Sequence, residues 1–299
     1  MSSLFTPIYR RKRYLICNAD DFGMSESITD AIIEAHKNGI VTSTTLMANM
    51  PATSYAADMS REWPSLGIGV HLTLTQGKPL LPIRDTYLLT DENGNFLDPG
   101  EQARNLIWSQ TKMSQIEKEF SVQIQKIIEL GIQPTHLDSH HHIARMPLVN
   151  RVLGKLAKKF RIPGARAEGP WYWCMAGARL SDRVLCVYKN AKYCHKIFLH
   201  RFNNYQLRVC YGLLLPDRKI EPSYFIPCDK NRKQQFIRLL ENLPYGVSEI
   251  TLHPRRPQMH FEDSSSNIID PDSSLATDND IVITLERLNI KTISFAALR

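Results

Sequence analysis

No C-x-x-C pair occurs anywhere in the sequence, although it holds six cysteines, so neither a zinc knuckle nor a thioredoxin-type redox centre is written into it. Five of the six fall between Cys174 and Cys228. That density would build a disulfide framework only in a secreted protein, and reduced, partly buried thiols are the expectation. No apolar run approaches the ~18–20 residues that cross a bilayer. The N-terminus lacks the order of a signal peptide: the basic cluster Arg10 to Arg13 follows a mixed segment instead of preceding a long apolar stretch, which reads as cytoplasmic. Internal repeats are absent, and so is any nucleic-acid-binding fold signature. Acid is scarce in one region. From Arg151 to Lys233 eighteen Lys and Arg face five Asp and Glu, which more than accounts for the net charge of +7. Such asymmetry attracts anionic substrates or surfaces, or simply forms a solvated basic face.

What is present is alternation. Tyr14–Cys17 reads as a strand, followed by a helical pattern (Ile28, Ile32, Ile33, Ala35) with Ser27 as its N-cap and Gly39 as its stop. The β-branched run 40–49, a helix over 55–62 and the strand 66–74 come next. A long helix over 113–130 precedes the short strand 135–139, and a helix over 147–160 follows. Strands separated by helices predict parallel pairing through right-handed crossovers, an α/β fold that at this length forms a barrel of one domain spanning 1–299. The rhythm breaks between Trp171 and Pro227, where eleven aromatic residues lie among many basic ones and Val184 to Leu199 patterns as an amphipathic helix. This basic, aromatic-rich segment, about 168–230, reads as an insertion into the barrel. Exposed apolar residues there would suit a homodimer, and its helix a peripheral membrane contact. The rhythm returns with a helix near 232–243, the strand 247–252, a polar loop over 259–278 and a last helix–strand pair.

Four chemically active spots share one place, the carboxyl end of a predicted strand: Asp20-Asp21, His71, the cluster from Thr135 to His142, and His253. In a parallel α/β barrel those ends meet at a single rim, where active sites are built. Adjacent Asp20 and Asp21 raise a question of their own, because two like charges at the end of a buried strand need a positive charge beside them.

The segments "LICNADDFGMSESITDAIIEAHKNGIVTSTTLMANMPA", "GIGVHLTLTQGKPLLP" and "PTHLDSHHHIARMP" resemble the signature segments of the YdjC-like, or ChbG-like, carbohydrate deacetylase family. The resemblance is dense over roughly the first 150 residues and thins to islands beyond. It implies a distorted TIM-like barrel, similar to NodB-type polysaccharide deacetylases, and an enzyme that uses a divalent metal to remove acetyl groups from N-acetylated sugars. Members with long basic inserts are tied to hopanoid lipid synthesis, so a glycolipid substrate belongs to the expectation. The resemblance further implies that Asp21, His71 and His140 hold the metal while Asp20 serves as general base. It also implies that Arg166 keeps that base ionised. Two imidazoles and a carboxylate suit zinc, manganese, cobalt or iron, and magnesium stands with zinc as the leading choice. His253 is the candidate acid for the leaving amine. Its segment reads HPRRP where the family resembles H-P-G, which puts Arg255 in the glycine's place. Asp138 is placed to orient a ligand imidazole, with His136 beside it. His142 and Trp171 are candidate sugar contacts, the latter in the run Trp171-Tyr172-Trp173.

Two rival readings exist. The H-x-D of His136 to Asp138, with His253 and a following arginine, spells an Fe(II)/2-oxoglutarate oxygenase. That chemistry requires an antiparallel jelly roll and leaves Asp20, Asp21 and His71 idle. A non-catalytic protein that binds membranes or anionic glycans through the basic segment is the second.

Overall fold

Strand β1 (Arg13–Phe22) runs through the centre of the molecule, and every residue after Arg13 is buried. Its two faces bury different things. Leu15, Cys17 and Ala19 pack under the helices, whereas Tyr14 and Ile16 face the other way, against Val247, Phe295 and Leu298. A strand covered on both faces reads as a continuous apolar run, as the sequence shows here. The computed structural model describes residues 12–105, 110–169, 192, 194–220, 222, 231–256 and 271–298. The expected sugar contact Trp171 and the start of the amphipathic pattern at 184–199 therefore lie outside the described residues.

On one side of β1 follow β2 (Ser43–Leu46), β3 (Gly67–Leu72), β4 (His136–Ser139) and β5 (Gly164–Ala165), in that order. On the other side lie β7 (Gly246–Leu252) and then β6 (Arg218–Ile220), while β8 (Ile290–Thr292) pairs with the first residues of β1. Every described pairing between these strands is parallel. The antiparallel jelly roll demanded by the oxygenase reading is thereby excluded. The strands form a half-barrel wrapped by helices. Its two edges approach each other through one segment: Ala165 N donates to Leu214 O at 3.0 Å, and three residues on Asp217 N donates to Val247 O at 2.9 Å. β6 lies within the 168–230 stretch, so part of the segment set apart by its composition completes the sheet.

Helices α1 (Glu26–Lys37), α2 (Thr53–Ser60), α3 (Ile83–Thr86), α4 (Pro99–Asn105), α5 (Gln110–Glu129) and α6 (Pro147–Lys159) connect the first five strands. Ser25, not Ser27, caps α1, its hydroxyl accepting the N–H of Ile28 at 3.2 Å. Both serines precede the apolar period, and only the backbone shows which one is extended. α5 buries a polar row at i, i+4 and i+8. Glu119 accepts the N–H groups of Leu80 and Leu81, both at 3.0 Å, while Gln123 bonds both backbone groups of Thr73 and Gln115 accepts from Leu88. This row fixes the long connection after β3 against the barrel, because buried backbone donors need partners. The loop expected over 259–278 contains a helix, Pro271–Ala276, and a further helix, Asn279–Arg287, follows it. The helix Cys194–Val209 overlaps the end of the amphipathic pattern expected over 184–199, most of which lies outside the described residues.

The barrel interior is graded. Tyr14, Ile16, Val247, Phe295 and Leu298 form an apolar plug toward the strand N-termini. Above it sit Asn18, Thr45, His136 and Glu249, and at the carboxyl ends the acids and histidines, all buried. Gly69 is what gives His136 room: a Cβ at this position would lie 2.6 Å from the imidazole. Gly69→Ala is expected to destabilise the fold by about 1–3 kcal/mol through overpacking, measured by urea unfolding. Unchanged stability would show that the ring can move aside.

Candidate active site

The side-by-side acids of β1 are explained by a break in the strand. Pairing with β2 is regular at Asn18 and Ala19 and resumes, shifted, at Phe22. Between them Asp21 adopts φ 69°, a left-handed conformation that costs a residue with a side chain roughly 1 kcal/mol. In an unbroken strand successive side chains point to opposite faces. The bulge instead brings Asp20 and Asp21 to the same mouth, where both are buried. Gly23 (φ 81°) then turns the chain toward α1, and a Cβ there would strike Leu46 at 2.7 Å.

Asp21 faces two imidazoles from other segments. Its Oδ1 lies 3.0 Å from His140 Nδ1 and 3.5 Å from His71 Nε2, and these two nitrogens are 3.2 Å apart. Despite the proximity Asp21 Oδ1 makes no well-aligned hydrogen bond. One donor-capable atom from each of the three side chains lies within 4.8 Å of the others. His71 comes from the end of β3 and is oriented from behind: its Nδ1 donates to Asp138 Oδ1 at 2.6 Å, leaving Nε2 toward Asp21. Thr45 Oγ1 donates to the other oxygen of Asp138 at 3.1 Å. Burial opposes a charge on His71, but Asp138, Asp21 and Asp20 outweigh it and raise its pKa to about 10. The pocket thus calls for positive charge at this point. Converging nitrogen and oxygen atoms, a carboxylate oxygen without an aligned donor, and surplus acid all fit a divalent cation.

Asp20, next to this cluster, is committed elsewhere. Arg166, at the end of β5 and 2% exposed, grips it with both terminal nitrogens, at 2.6 and 2.8 Å. The same guanidinium reaches Asp138 at 2.8 Å and, through Nε, Glu249 at 2.7 Å. Asn18 adds a bond to Asp20 at 2.8 Å. Burial opposes ionisation of Asp20, yet Arg166 outweighs it and holds the carboxyl well below the usual carboxylate range. Burial raises Glu249 to about 7, against the pull of Arg166 and Lys219. On the open side of Asp20, His253 Nε2 lies 3.9 Å from Oδ2.

Of the three histidines after β4, His141 and His142 have φ of 50° and 53°, and the ring of His141 stays against that of His140, with centroids 3.9 Å apart. His141 meets Thr75 Oγ1 at 3.0 Å, and His142 Nδ1 accepts from Lys219 Nζ at 3.0 Å. His136 sits one interior position below Asp138. It stacks on Phe295 with ring centroids 3.6 Å apart, bonds Thr135, and burial pushes its pKa down to about 3. The hydrogen bond that orients His71 therefore comes from Asp138, with His136 packed as a neutral ring beneath. Arg255 Nη2 comes within 3.8 Å of Asp21 Oδ2 from the loop after β7. Sequence reasoning passed over Glu249, Thr45, Lys219 and Asp272. For Glu249 a signal existed, a carboxylate inside the apolar strand 247–252; Asp272 is hidden in an acid-rich stretch with no pattern.

Arg166 bridges three buried carboxylates. Arg166→Met is expected to cost about 3–5 kcal/mol in urea unfolding, because it strands buried charge. A loss below 1 kcal/mol would mean that water already reaches those acids.

The geometry has relatives. The family profile described as YdjC-like protein matches residues 14–283. A protein named carbohydrate deacetylase from Geobacillus stearothermophilus is 44% identical over 151 residues, which is 50% of this chain and 58% of that relative, less than two thirds of its length. Another of that name from Brevibacillus brevis is 32% identical over 241 residues, 80% of each chain. A crystal structure from Enterococcus faecalis V583, of a protein described as a candidate for cellobiose-phosphate cleavage, superimposes with a TM-score of 0.70 at 26% identity, covering 95% of this chain and 98% of that one. Taken with the parallel half-barrel and the rim on which Asp21, His71 and His140 meet, the match along most of the sequence shows that the chain belongs to the YdjC-like family.

Proposed function

We propose that the protein is a metal-dependent hydrolase that removes the acetyl group from an N-acetylated sugar, carried on an oligosaccharide, glycan or glycolipid. The observation that carries this reading is the meeting of Asp21, His71 and His140 beside a separately held carboxylate, Asp20, and an accessible imidazole, His253. The names of the relatives from Geobacillus stearothermophilus and Brevibacillus brevis support the reaction, and the description of the Enterococcus faecalis protein supports a sugar as substrate.

Asp21, His71 and His140 would hold one divalent cation, zinc or magnesium foremost, with manganese or cobalt as substitutes. Once bound, such an ion supplies a Lewis acid and lowers the pKa of its water toward neutrality. The remaining chemistry belongs to the chain. Asp138 fixes the ring of His71 with Nε2 facing Asp21, where a bound cation would take the place of its proton. Asp20, kept ionised by Arg166, accepts a proton from the water that attacks the acetamide carbonyl. His253 then gives a proton to the departing nitrogen as the C–N bond breaks, so that acetate and a free amine leave. Division of labour between two neighbouring acids follows from their contacts. Asp21 has an oxygen free of aligned donors, whereas both oxygens of Asp20 are occupied by Arg166. His142 and Trp171 stay as proposed sugar contacts.

Acetate release from a panel of N-acetylated mono- and oligosaccharides should cease after dialysis against a chelator and return on adding a divalent ion. Chelator-resistant release would remove the metal from the mechanism. Asp20→Asn should keep the bound metal, read by elemental analysis, while turnover falls on the order of 10²–10⁴-fold. His71→Ala should lose metal and turnover together. If Asp20→Asn abolishes metal uptake and Asp21→Asn does not, the roles of the two acids are reversed.

A further inference from the structure

The loop that carries His253 is held by a helix far along the chain. Asp272 Oδ2 accepts the backbone N–H of His253 at 2.9 Å and lies 3.6 Å from its ring Nδ1. The other oxygen of Asp272 pairs with Arg232, the first residue of the helix Arg232–Glu241. Ser273, the next residue, accepts the N–H of Arg255 and donates to its carbonyl, both at 2.8 Å. Two consecutive side chains of Pro271–Ala276 thus fix backbone and ring at the end of β7. The segment here reads HPRRP, with no glycine to form a turn by itself.

From this geometry we infer that Asp272 is the positioning residue of His253: it directs Nδ1–H toward its own carboxylate and so turns Nε2 toward Asp20, 3.9 Å away. What His253 does rests on the proposed deacetylase reading; how it is held does not. When the C–N bond breaks, the proton passes from His253 Nε2 to the amine nitrogen. The ring is left neutral with Nδ1–H still directed at Asp272, and solvent restores the lost proton along its exposed edge. That edge is real, since the side chain is 42% exposed. No other described side chain is so placed on Nδ1. Asp20 and Asp21 face the ring from the end of β1, His141 from the turn after β4, and Arg232 acts through Asp272. Burial disfavours the imidazolium, but the neighbouring carboxylates of Asp272, Asp20 and Asp21 outweigh it, and the pKa of His253 is raised.

The test uses the metal-loaded protein with histidine ¹⁵N labelling and, for kinetics, an N-acetylated sugar that the wild type turns over. Asp272→Asn keeps an oxygen for the backbone N–H but removes the charge. The NMR titration midpoint of His253 should move to lower pH. A general acid works only below its pKa, so the alkaline limb of kcat/KM should move down with it, kcat should fall on the order of tenfold, and KM should stay unchanged. Arg232→Gln, which removes the positive charge behind Asp272, should move the same midpoint upward and serves if the first variant does not fold. A His253 titration unmoved by either substitution overturns the inference and leaves Asp272 as a backbone anchor. Shifted midpoints in a protein that releases no acetate from any sugar would uphold the positioning and defeat the deacetylase reading instead.

Discussion

One guanidinium, buried at the centre of a half-barrel, holds three carboxylates from three strands. Arg166 meets Asp20 from β1, Asp138 from β4 and Glu249 from β7, each within 2.8 Å. Ion pairs at this depth stabilise little in net terms, since desolvation offsets most of the attraction. Their value lies in geometry. Arg166 cannot turn without breaking bonds to three strands, so the carboxylate proposed as base and the one that orients His71 are fixed relative to each other. The acids exceed this one cation, and the pocket remains receptive to further positive charge at the cluster beside it.

The second constraint is the bulge in β1. Its cost is a left-handed aspartate; its gain is that two neighbouring acids serve two different partners. Asp20 is bound from within the barrel by Arg166, while Asp21 faces His71 and His140 at the rim. A regular strand could not bring both to one mouth. The strain stored there is over-determined by the turn at Gly23, which is itself locked by Leu46 and Thr53.

The order of strands and helices, and the rim itself, were legible because each rests on local pattern. Buried parallel strands read as apolar runs, and their last residues carried Asp20, Asp21, His71 and the His140 cluster in plain view. What escaped depends on three-dimensional closure. Glu249 stands four residues before His253, but only the register of β7 against β1 aims it at Arg166. Lys219 looks like one more charge in a basic segment until β6 places it beside Glu249. Asp272 hides in a stretch whose composition predicts a loop, and it becomes a helix by docking on the end of β7. Ser27 reads as the cap of α1 where Ser25 takes that role, because periodicity does not separate capping residues two positions apart.

The position of β1 has a consequence for how the molecule comes into being. Its neighbours include β2, about two dozen residues away, but also β7 and β8, which begin at Gly246 and Ile290. A growing chain therefore emerges with its central strand covered on one flank only, and unpaired backbone on the other waits for the last fifth of the polypeptide. Pairings of such sequence separation make assembly slow, because loop closure must precede the contacts that reward it. Chains cut short after β5 would already contain every proposed ligand of the rim, yet would lack the strands that seal the ladder and keep an adhesive edge out of water.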